Sequence, residues 1–148
     1  SDNPHILNIS PPLDMNPIWF QGRVAYTMAK YNMSLCVLGM AAEYKGQIGV
    51  NALWPRTAIK TAAVKNVLGG DEMMKKSRDP QIMADAAHII LNKDKDKFSG
   101  NFVLDDSLLA EHGETDFSKY ADYPFAELIP DFFVPEDAYP VPQVVKDS

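Results

Sequence analysis

Hydrophobic residues occur along this chain first as three short, nearly continuous apolar runs. They are His5–Ser10 ("HILNIS"), Ile48–Pro55 ("IGVNALWP") and Gly100–Asp106 ("GNFVLDD"). Apolar runs of this length, bounded by residues that break regular structure, are typical of buried strands. The sequence therefore predicts three strands, the first ending at Pro11 and the second at Pro55.

Between the first two runs, apolar residues recur at intervals of three and four, which is the pattern of a helix with one buried face. The stretch from Val24 to about Tyr44 contains no proline, so it predicts one long helix, with Gly46 as a C-terminal glycine cap. The apolar face predicted for this helix consists of Met33, Val37, Met40 and Ala41, with Ala29 and Leu38 flanking it.

A second helix is predicted in "DPQIMADAAHIILN", where Asp79 is a candidate N-cap and Pro80 takes the first helical position. Its predicted apolar face consists of Ile82, Ala86, Ile89 and Ile90. Before it, Thr61–Leu68 predicts a short helix that the Gly69-Gly70 pair ends.

The elements thus follow the order strand, helix, strand, short helix, helix, strand. Strands joined through a helix by short connections are parallel, which predicts the α/β class. A parallel sheet needs helices on both faces, and the chain has only two clear ones. This shortage indicates half of a larger doubly wound parallel-sheet (Rossmann-like) fold.

The regular pattern ends after Asp106. Residues 107–148 contain many of the 11 prolines and many aromatic residues. We expect residues 1–106 to form the α/β part. Residues 107–148 are then an extended tail that is held by anchors such as Phe132 and Phe133 and frayed after Pro140.

Composition and charge narrow the function classes. The 148 residues are 46% hydrophobic and 23% charged, which is typical of a globular domain. The net charge is −6 and no basic stripe is present, so a nucleic-acid partner is not expected. No apolar stretch approaches the roughly 18–20 residues of a membrane span. There is also no leader typical of a signal peptide.

The residue types that bind metals or react as nucleophiles form no pattern. Cys36 is the single cysteine, so no internal disulfide is possible, and its apolar neighbours predict a small core residue. His5, His88 and His112 are far apart and match no metal-ligand spacing, so no metal site is predicted. Arg56, in the turn after the second strand, is predicted to be a solvated loop residue.

Tyr26 and Lys30 carry the candidate chemistry of the long helix. Residues four apart lie on one helix face, so both side chains point the same way. A tyrosine has a pKa of about 10. A nearby cation favours the phenolate and would allow the pair to move a proton to or from a carbonyl or hydroxyl oxygen. The alternative is a lysine that extends along a half-buried ring to reach solvent.

The sequence around this pair resembles the C-terminal half of the short-chain dehydrogenase/reductase family. "AYTMAK" matches the Tyr-x-x-x-Lys active site, and "HILNIS" matches the strand that leads to the catalytic serine. "VNALWPRTAIKT" matches the strand and turn that hold the nicotinamide. "DPQIMADAAHIIL" and "FSGNFVLDD" are similar to the following helix and the last strand, so the resemblance covers roughly residues 5–106.

The resemblance implies an oxidoreductase that transfers hydride between NADP or NAD and an alcohol/carbonyl pair. Tyr26 would be the general acid/base, and Lys30 would lower its pKa and bind the nicotinamide ribose. Ser10 would be the catalytic serine, or else a strand-end serine that caps the loop. The residues implied in cofactor binding are Tyr26, Lys30, Pro55, Ile59 and Thr61.

Three features depart from the family pattern. Ser10 precedes Pro11 and lies sixteen residues before Tyr26, earlier than the family serine. Arg56 follows Pro55 where the family has glycine. No glycine-rich phosphate loop such as G-x-G-x-x-G occurs in the chain. We therefore expect a dehydrogenase that is complete only with a missing N-terminal nucleotide-binding half.

An alternative interpretation is a non-catalytic fragment or descendant that serves as a subunit-interface module, with the Val24–Tyr44 helix packing across a two-fold axis. A lipid- or acyl-binding protein is a third interpretation, based on the aromatic tail alone. The expected partners are a small-molecule alcohol or carbonyl substrate and further copies of the chain. The resemblance implies an intracellular location: peroxisome or mitochondrion in a eukaryote, cytoplasm in a bacterium.

Overall fold

The computed structural model describes residues 2–62 and 70–148, which cluster into two compact units. Unit 1 comprises Ser1–Trp54, Ala87–Val103 and Phe132–Pro135; unit 2 comprises Pro55–Ala86, Leu104–Asp131 and Glu136–Ser148. The helix predicted over Thr61–Leu68 lies, except for its first two residues, outside the described residues.

Within the described residues, three strands form one parallel sheet, so the predicted α/β class is confirmed. The strands are β1 (His5–Ile9), β2 (Gly49–Trp54) and β3 (Phe102–Leu104), in the order β1-β2-β3. β1 and β2 pair in parallel from His5 opposite Gly49 to Ile9 opposite Leu53. The central strand β2 is buried at every residue, as expected for a parallel strand covered on both faces.

Two details of the predicted strands are wrong. β1 was expected to be buried but is half-buried, because it lies at the edge of the described sheet and has a strand on one side only. β3 ends at Leu104, since Asp105 and Asp106 begin a helix instead of continuing the strand.

Helix α1 (Val24–Glu43) joins β1 to β2, as predicted. Its buried residues are Thr27, Tyr31, Ser34 and Val37. Val37 packs with the apolar residues of β2, whereas Ser34 Oγ donates a 2.6 Å hydrogen bond to the carbonyl of Pro11. The buried face of α1 is therefore apolar near its C-terminal end and hydrogen-bonded to the loop after β1 near its N-terminal end.

Several apolar residues of α1 are exposed. Val24, Met28, Leu35 and Leu38 are between 46% and 55% exposed. Leu35 and Leu38 each lie one turn after a buried residue, so these exposed residues flank the buried face. Cys36 was expected in the core but is exposed, because the apolar residues of α1 extend beyond its buried face.

The loop between β1 and α1 contains a 3-10 turn over Pro17–Trp19. The side chain of Asn16 caps it by accepting a hydrogen bond from Ile18 N at 3.1 Å. Trp19 Nε1 donates to a carboxylate oxygen of Asp14 at 2.6 Å. These bonds fix the path of the chain into α1.

The remaining helices are α2 (Gly70–Lys75), α3 (Gln81–Leu91), α4 (Asp105–Glu111) and α5 (Gln143–Lys146), with 3-10 turns at Ser118–Tyr120 and Phe125–Glu127. Asp79 accepts a hydrogen bond from Gln81 N at 2.9 Å, as expected for the N-cap of α3. On α3, Ile82, Ala86 and Ile90 are fully buried. The prediction of a frayed end after Pro140 is wrong, because α5 forms there and buries Val145.

Arg56 is not a solvated loop residue. Its side chain is buried in unit 2, where Nε donates to both carboxylate oxygens of Asp106, at 2.8 and 2.9 Å. Its other nitrogens donate to Ser107 Oγ and to the carbonyl of Tyr139. Arg78 Nη1 donates to the same Asp106 at 2.9 Å. Loss of one partner from a buried pair of this kind costs about 3–5 kcal/mol.

Candidate active site

Tyr26 and Lys30 lie one turn apart on α1, as predicted. Tyr26 is 46% exposed and Lys30 is half-buried. Lys30 Nζ is 3.4 Å from the carbonyl oxygen of Ile9 and 5.3 Å from the ring centroid of Trp54. Ile9 and Trp54 are the last residues of β1 and β2, so Lys30 lies at the carboxyl edge of the sheet. Open α/β sheets bind their ligands at this edge.

Ser10 directly follows β1 and is fully buried. Its Oγ has no hydrogen-bond partner within the described part of the chain, so the structure gives no support to a capping role there. The backbone around it is fixed, because Ser34 Oγ donates to Pro11 O and Asn8 Nδ2 donates to Met33 O at 3.1 Å. Leaving a buried hydroxyl unpaired costs about 1–3 kcal/mol, and such groups often serve a function.

An aromatic cluster surrounds the side chain of Phe133 and includes Tyr26. Centroid distances from Phe133 are 5.3–6.2 Å for the rings of Trp19, Tyr26, Tyr31, Trp54 and Phe132. The Tyr26 ring is nearly parallel to that of Phe133, at an interplanar angle of 20°. The sequence indicated Phe133 only as an anchor of the tail, not as a neighbour of Tyr26.

The backbone of Phe133 is strained. Its φ is 69°, in the left-handed region that bulky residues avoid, at a cost of about 1–3 kcal/mol. The preceding residue is held from two sides: Trp54 Nε1 donates to Phe132 O at 2.8 Å, and the Arg23 guanidinium lies 4.0 Å from the Phe132 ring centroid. No signal in the sequence predicts a positive φ at a phenylalanine.

The other residues implied in cofactor binding belong to unit 2. Pro55 and Ile59 are buried there, and Thr61 is exposed. The segment that contains them is fixed by backbone bonds within unit 2, from Ala58 N to Ile129 O at 2.8 Å and from Lys60 N to Arg78 O at 2.8 Å. Their role in binding stays a prediction.

Two other classes of site are absent from residues 2–62 and 70–148. No group of three or more His, Cys, Asp or Glu residues there could hold a metal ion. No helix in the same residues is long and apolar enough to cross a membrane.

Comparison with curated proteins confirms the relationship to dehydrogenases. The chain is 59% identical over 132 residues to hydroxysteroid dehydrogenase-like protein 2 of Xenopus tropicalis, and 55% identical over 136 residues to that of Homo sapiens. These matches cover 89% and 92% of this chain, but 31% and 32% of the relatives. The chain thus spans about a third of the length of these proteins. No family model matches it.

Solved structures give the same class. A short-chain dehydrogenase of Mycobacterium thermoresistibile matches with a TM-score of 0.83 and 46% identity, over all of this chain and 51% of its own. A Xanthomonas campestris protein described as a dehydrogenase matches with a TM-score of 0.84 and 47% identity, over 92% of this chain and 50% of its own. The resemblance to the short-chain dehydrogenase/reductase family is therefore confirmed, and the curated relatives with which the chain shares 50–59% identity are named hydroxysteroid dehydrogenase-like protein 2.

Proposed function

We propose that this chain is the catalytic half of an oxidoreductase that interconverts an alcohol and a carbonyl with NADP or NAD. The observation that carries the proposal is the pair of Tyr26 and Lys30 at the carboxyl edge of the parallel sheet, in a chain similar to dehydrogenases. When bound, the nicotinamide supplies or accepts the hydride, and the protein orients the substrate and moves the proton.

Tyr26 is proposed to exchange the proton at the substrate oxygen. Tyr26 is 46% exposed, and the positive charge of Lys30 on the same helix face would favour the phenolate that accepts a proton. Ser10 is proposed to donate a hydrogen bond to the same oxygen, because its buried hydroxyl lacks a partner in the described residues. This donor would stabilise negative charge that develops in the transition state.

The residues present fit the nicotinamide end of the cofactor. A half-buried cation, a phenol and an unpaired buried hydroxyl are donors suited to hydroxyl and carbonyl oxygens. From the resemblance, Lys30 is proposed to bind the nicotinamide ribose, and Pro55, Ile59 and Thr61 to contact the nicotinamide. Since these 148 residues contain no glycine-rich loop, we propose that an N-terminal half of the full-length protein binds the diphosphate.

The proposal predicts the kinetics of Tyr26→Phe and Lys30→Ala in the full-length protein. NADPH oxidation is measured with a ketosteroid, a fatty acyl-derived ketone and a terpenoid aldehyde as probe carbonyls. Tyr26→Phe should lower kcat at least about 100-fold while NADPH still binds, because only the proton carrier is lost. Lys30→Ala should weaken NADPH binding as well as lower the rate.

Asn32→Ala is the matched control, since Asn32 is an exposed α1 residue with no proposed role. It should keep kcat and NADPH affinity within about twofold of the wild type. Undiminished turnover in Tyr26→Phe, or no oxidation of either NADPH or NADH by the wild type with any probe, contradicts the proposed function.

A second candidate function is favoured by the exposed apolar face of α1. Val24, Met28, Leu35 and Leu38 together leave a large apolar area uncovered in the described structure. Such areas commonly mark interaction sites. We propose that this face packs against a second copy of the chain, whether in an active dehydrogenase or in a non-catalytic subunit-interface module. Turnover that is lost in Tyr26→Phe would favour the active dehydrogenase over the non-catalytic subunit-interface module.

A further inference from the structure

Phe133 is distant from Tyr26 in the sequence but belongs to the same unit, because Phe132–Pro135 is part of unit 1. Its side chain is 0% exposed, and its ring lies 5.9 Å from that of Tyr26 at 20° between the planes. The other four rings of the cluster are inclined to Phe133 by 56–60°. Among these five rings, that of Tyr26 is therefore the one nearly parallel to the ring of Phe133.

The two rings differ in how far they are enclosed. Phe133 is enclosed by aromatic rings, and the residue before it is fixed by Trp54 and Arg23. Tyr26 is 46% exposed. The stacked contact thus joins a residue that is open to solvent to a ring that is buried. Such offset-stacked pairs have a preferred relative orientation.

The conformation of Phe133 adds an independent observation. A bulky residue at φ 69° persists only where the surrounding structure holds it, and residues of this kind cluster at functional sites. The strained backbone directs the side chain of a segment from the C-terminal part of the chain against the proposed acid/base. A residue that only filled space in the core could do this from an ordinary extended backbone conformation, without the strain.

We infer that Phe133 is a positioning residue for Tyr26: its ring sets the plane of the Tyr26 phenol and hence the direction of the hydroxyl. The inference rests on the proposed role of Tyr26 and extends it to a residue that touches neither substrate nor cofactor. Misplacing a reacting group by about 1 Å can cost about 100-fold in rate, so orientation of this ring affects kcat more than binding.

The test uses variants of the full-length protein. Phe133→Leu and Phe133→Met keep an apolar side chain but remove the flat ring, whereas Phe133→Tyr keeps a ring. Phe117→Leu is the matched control, because Phe117 is 1% exposed and its ring packs against Tyr120 in unit 2. It removes a buried ring from unit 2 and leaves the rings of the cluster around Phe133 unchanged, so it reports the effect of lost stability.

We expect Phe133→Leu and Phe133→Met to lower kcat about 10–100-fold, with the KM for NADPH changed less than about twofold. Phe133→Tyr should restore kcat to within about threefold of the wild type. Phe117→Leu should lower the thermal midpoint without lowering kcat. Equal losses of kcat in Phe117→Leu and the Phe133 variants, or wild-type kcat in a folded Phe133→Leu or Phe133→Met protein, overturn the inference.

A readout that needs no turnover is the NMR signal of the Tyr26 ring, recorded with ring-labelled tyrosine and assigned through its loss in Tyr26→Phe. Stacking on Phe133 should shift this signal upfield, and Phe133→Leu should abolish the shift while Phe117→Leu keeps it. Absence of the shift in the wild type overturns the inference even if Tyr26 is catalytic. Full turnover in Tyr26→Phe instead contradicts the proposed function itself.

Discussion

Asp105, the first residue of α4, is a carboxyl group fully removed from solvent. One of its oxygens accepts hydrogen bonds from the backbone N–H groups of Arg56 and Asp106, at 3.0 and 2.8 Å. The other oxygen has no partner in the described residues. Burial, together with the neighbouring negative charge of Asp106, raises the pKa of Asp105 to about 7, and the positive charge of Arg78 opposes this rise.

This pKa predicts how stability depends on pH. Between about pH 4, where the carboxyl ionises in the unfolded chain, and about pH 7, the folded state binds the extra proton. The contribution of Asp105 to the free energy of unfolding is therefore full below pH 4 and is lost as the pH rises to 7. Asp105→Asn removes the ionisable carboxyl and with it this loss of stability. The free energy of unfolding of the variant, relative to that of the wild type, should therefore increase with pH across that range.

Urea midpoints of the full-length protein at a series of pH values measure the effect. Asp137→Asn is the control, because Asp137 is exposed. The pH dependence of Asp105→Asn should differ from that of this control. A wild type and an Asp105→Asn variant with the same pH dependence would show that Asp105 ionises as freely as an exposed carboxyl.

At the scale of elements, α1 shows what local sequence can determine. Its limits were predicted almost to the residue, because a proline-free stretch between turn residues is a local property. Its buried face was predicted only in part. Tyr31 and Ser34 are buried because each donates to a carbonyl of the loop after β1, namely Asp14 O and Pro11 O. These hydrogen-bond partners depend on the path of the loop after β1. The spacing of residues within α1 carries no information about that path.

The exposed face of α1 predicts the effect of charge on assembly. Leu35→Glu combined with Leu38→Glu should shift the full-length protein toward monomers, weakening association at least about tenfold, because buried unpaired carboxylates oppose packing against another copy. Sedimentation or native mass spectrometry measures the distribution. Met15→Glu is the control, since Met15 is equally apolar, 74% exposed and outside α1. An unchanged distribution in the double variant argues against α1 as the contact.

At the scale of the whole molecule, the sequence identified the class and the pair on α1 but not the surroundings of that pair. The sequence predicted that Tyr26 and Lys30 share one face of α1, because they lie one helical turn apart. Arg56 was misjudged, and Phe133 was predicted only as an anchor of the tail, because their partners are long-range: Phe133 meets Tyr26, and Arg56 binds Asp106 fifty residues on. The order of the apolar runs supplied the α/β class, whereas the buried charges and the aromatic cluster required three-dimensional structure.

The proposed division of the nucleotide site between two halves can be measured directly. Native mass spectra of the full-length protein with NADPH should show one nucleotide per chain. The isolated 148 residues should bind NADPH at least about 100-fold more weakly, because they contain no glycine-rich loop. Each sample without NADPH is its own control. Equal affinity of the two proteins would place the whole nucleotide site within this chain.

The edge position of β1 has a consequence for handling the protein. Within the described sheet, β1 pairs only with β2, so the backbone groups along its other side form an open row of donors and acceptors. An uncapped row of this kind recruits any extended chain that meets it, including a second molecule of the same kind. We therefore expect this chain, expressed by itself, to associate through β1. If the proposed N-terminal half supplies the neighbouring strand, co-expression with it should keep the chain dissolved, which makes reconstitution from two separately produced pieces a practical route to the assembled domain.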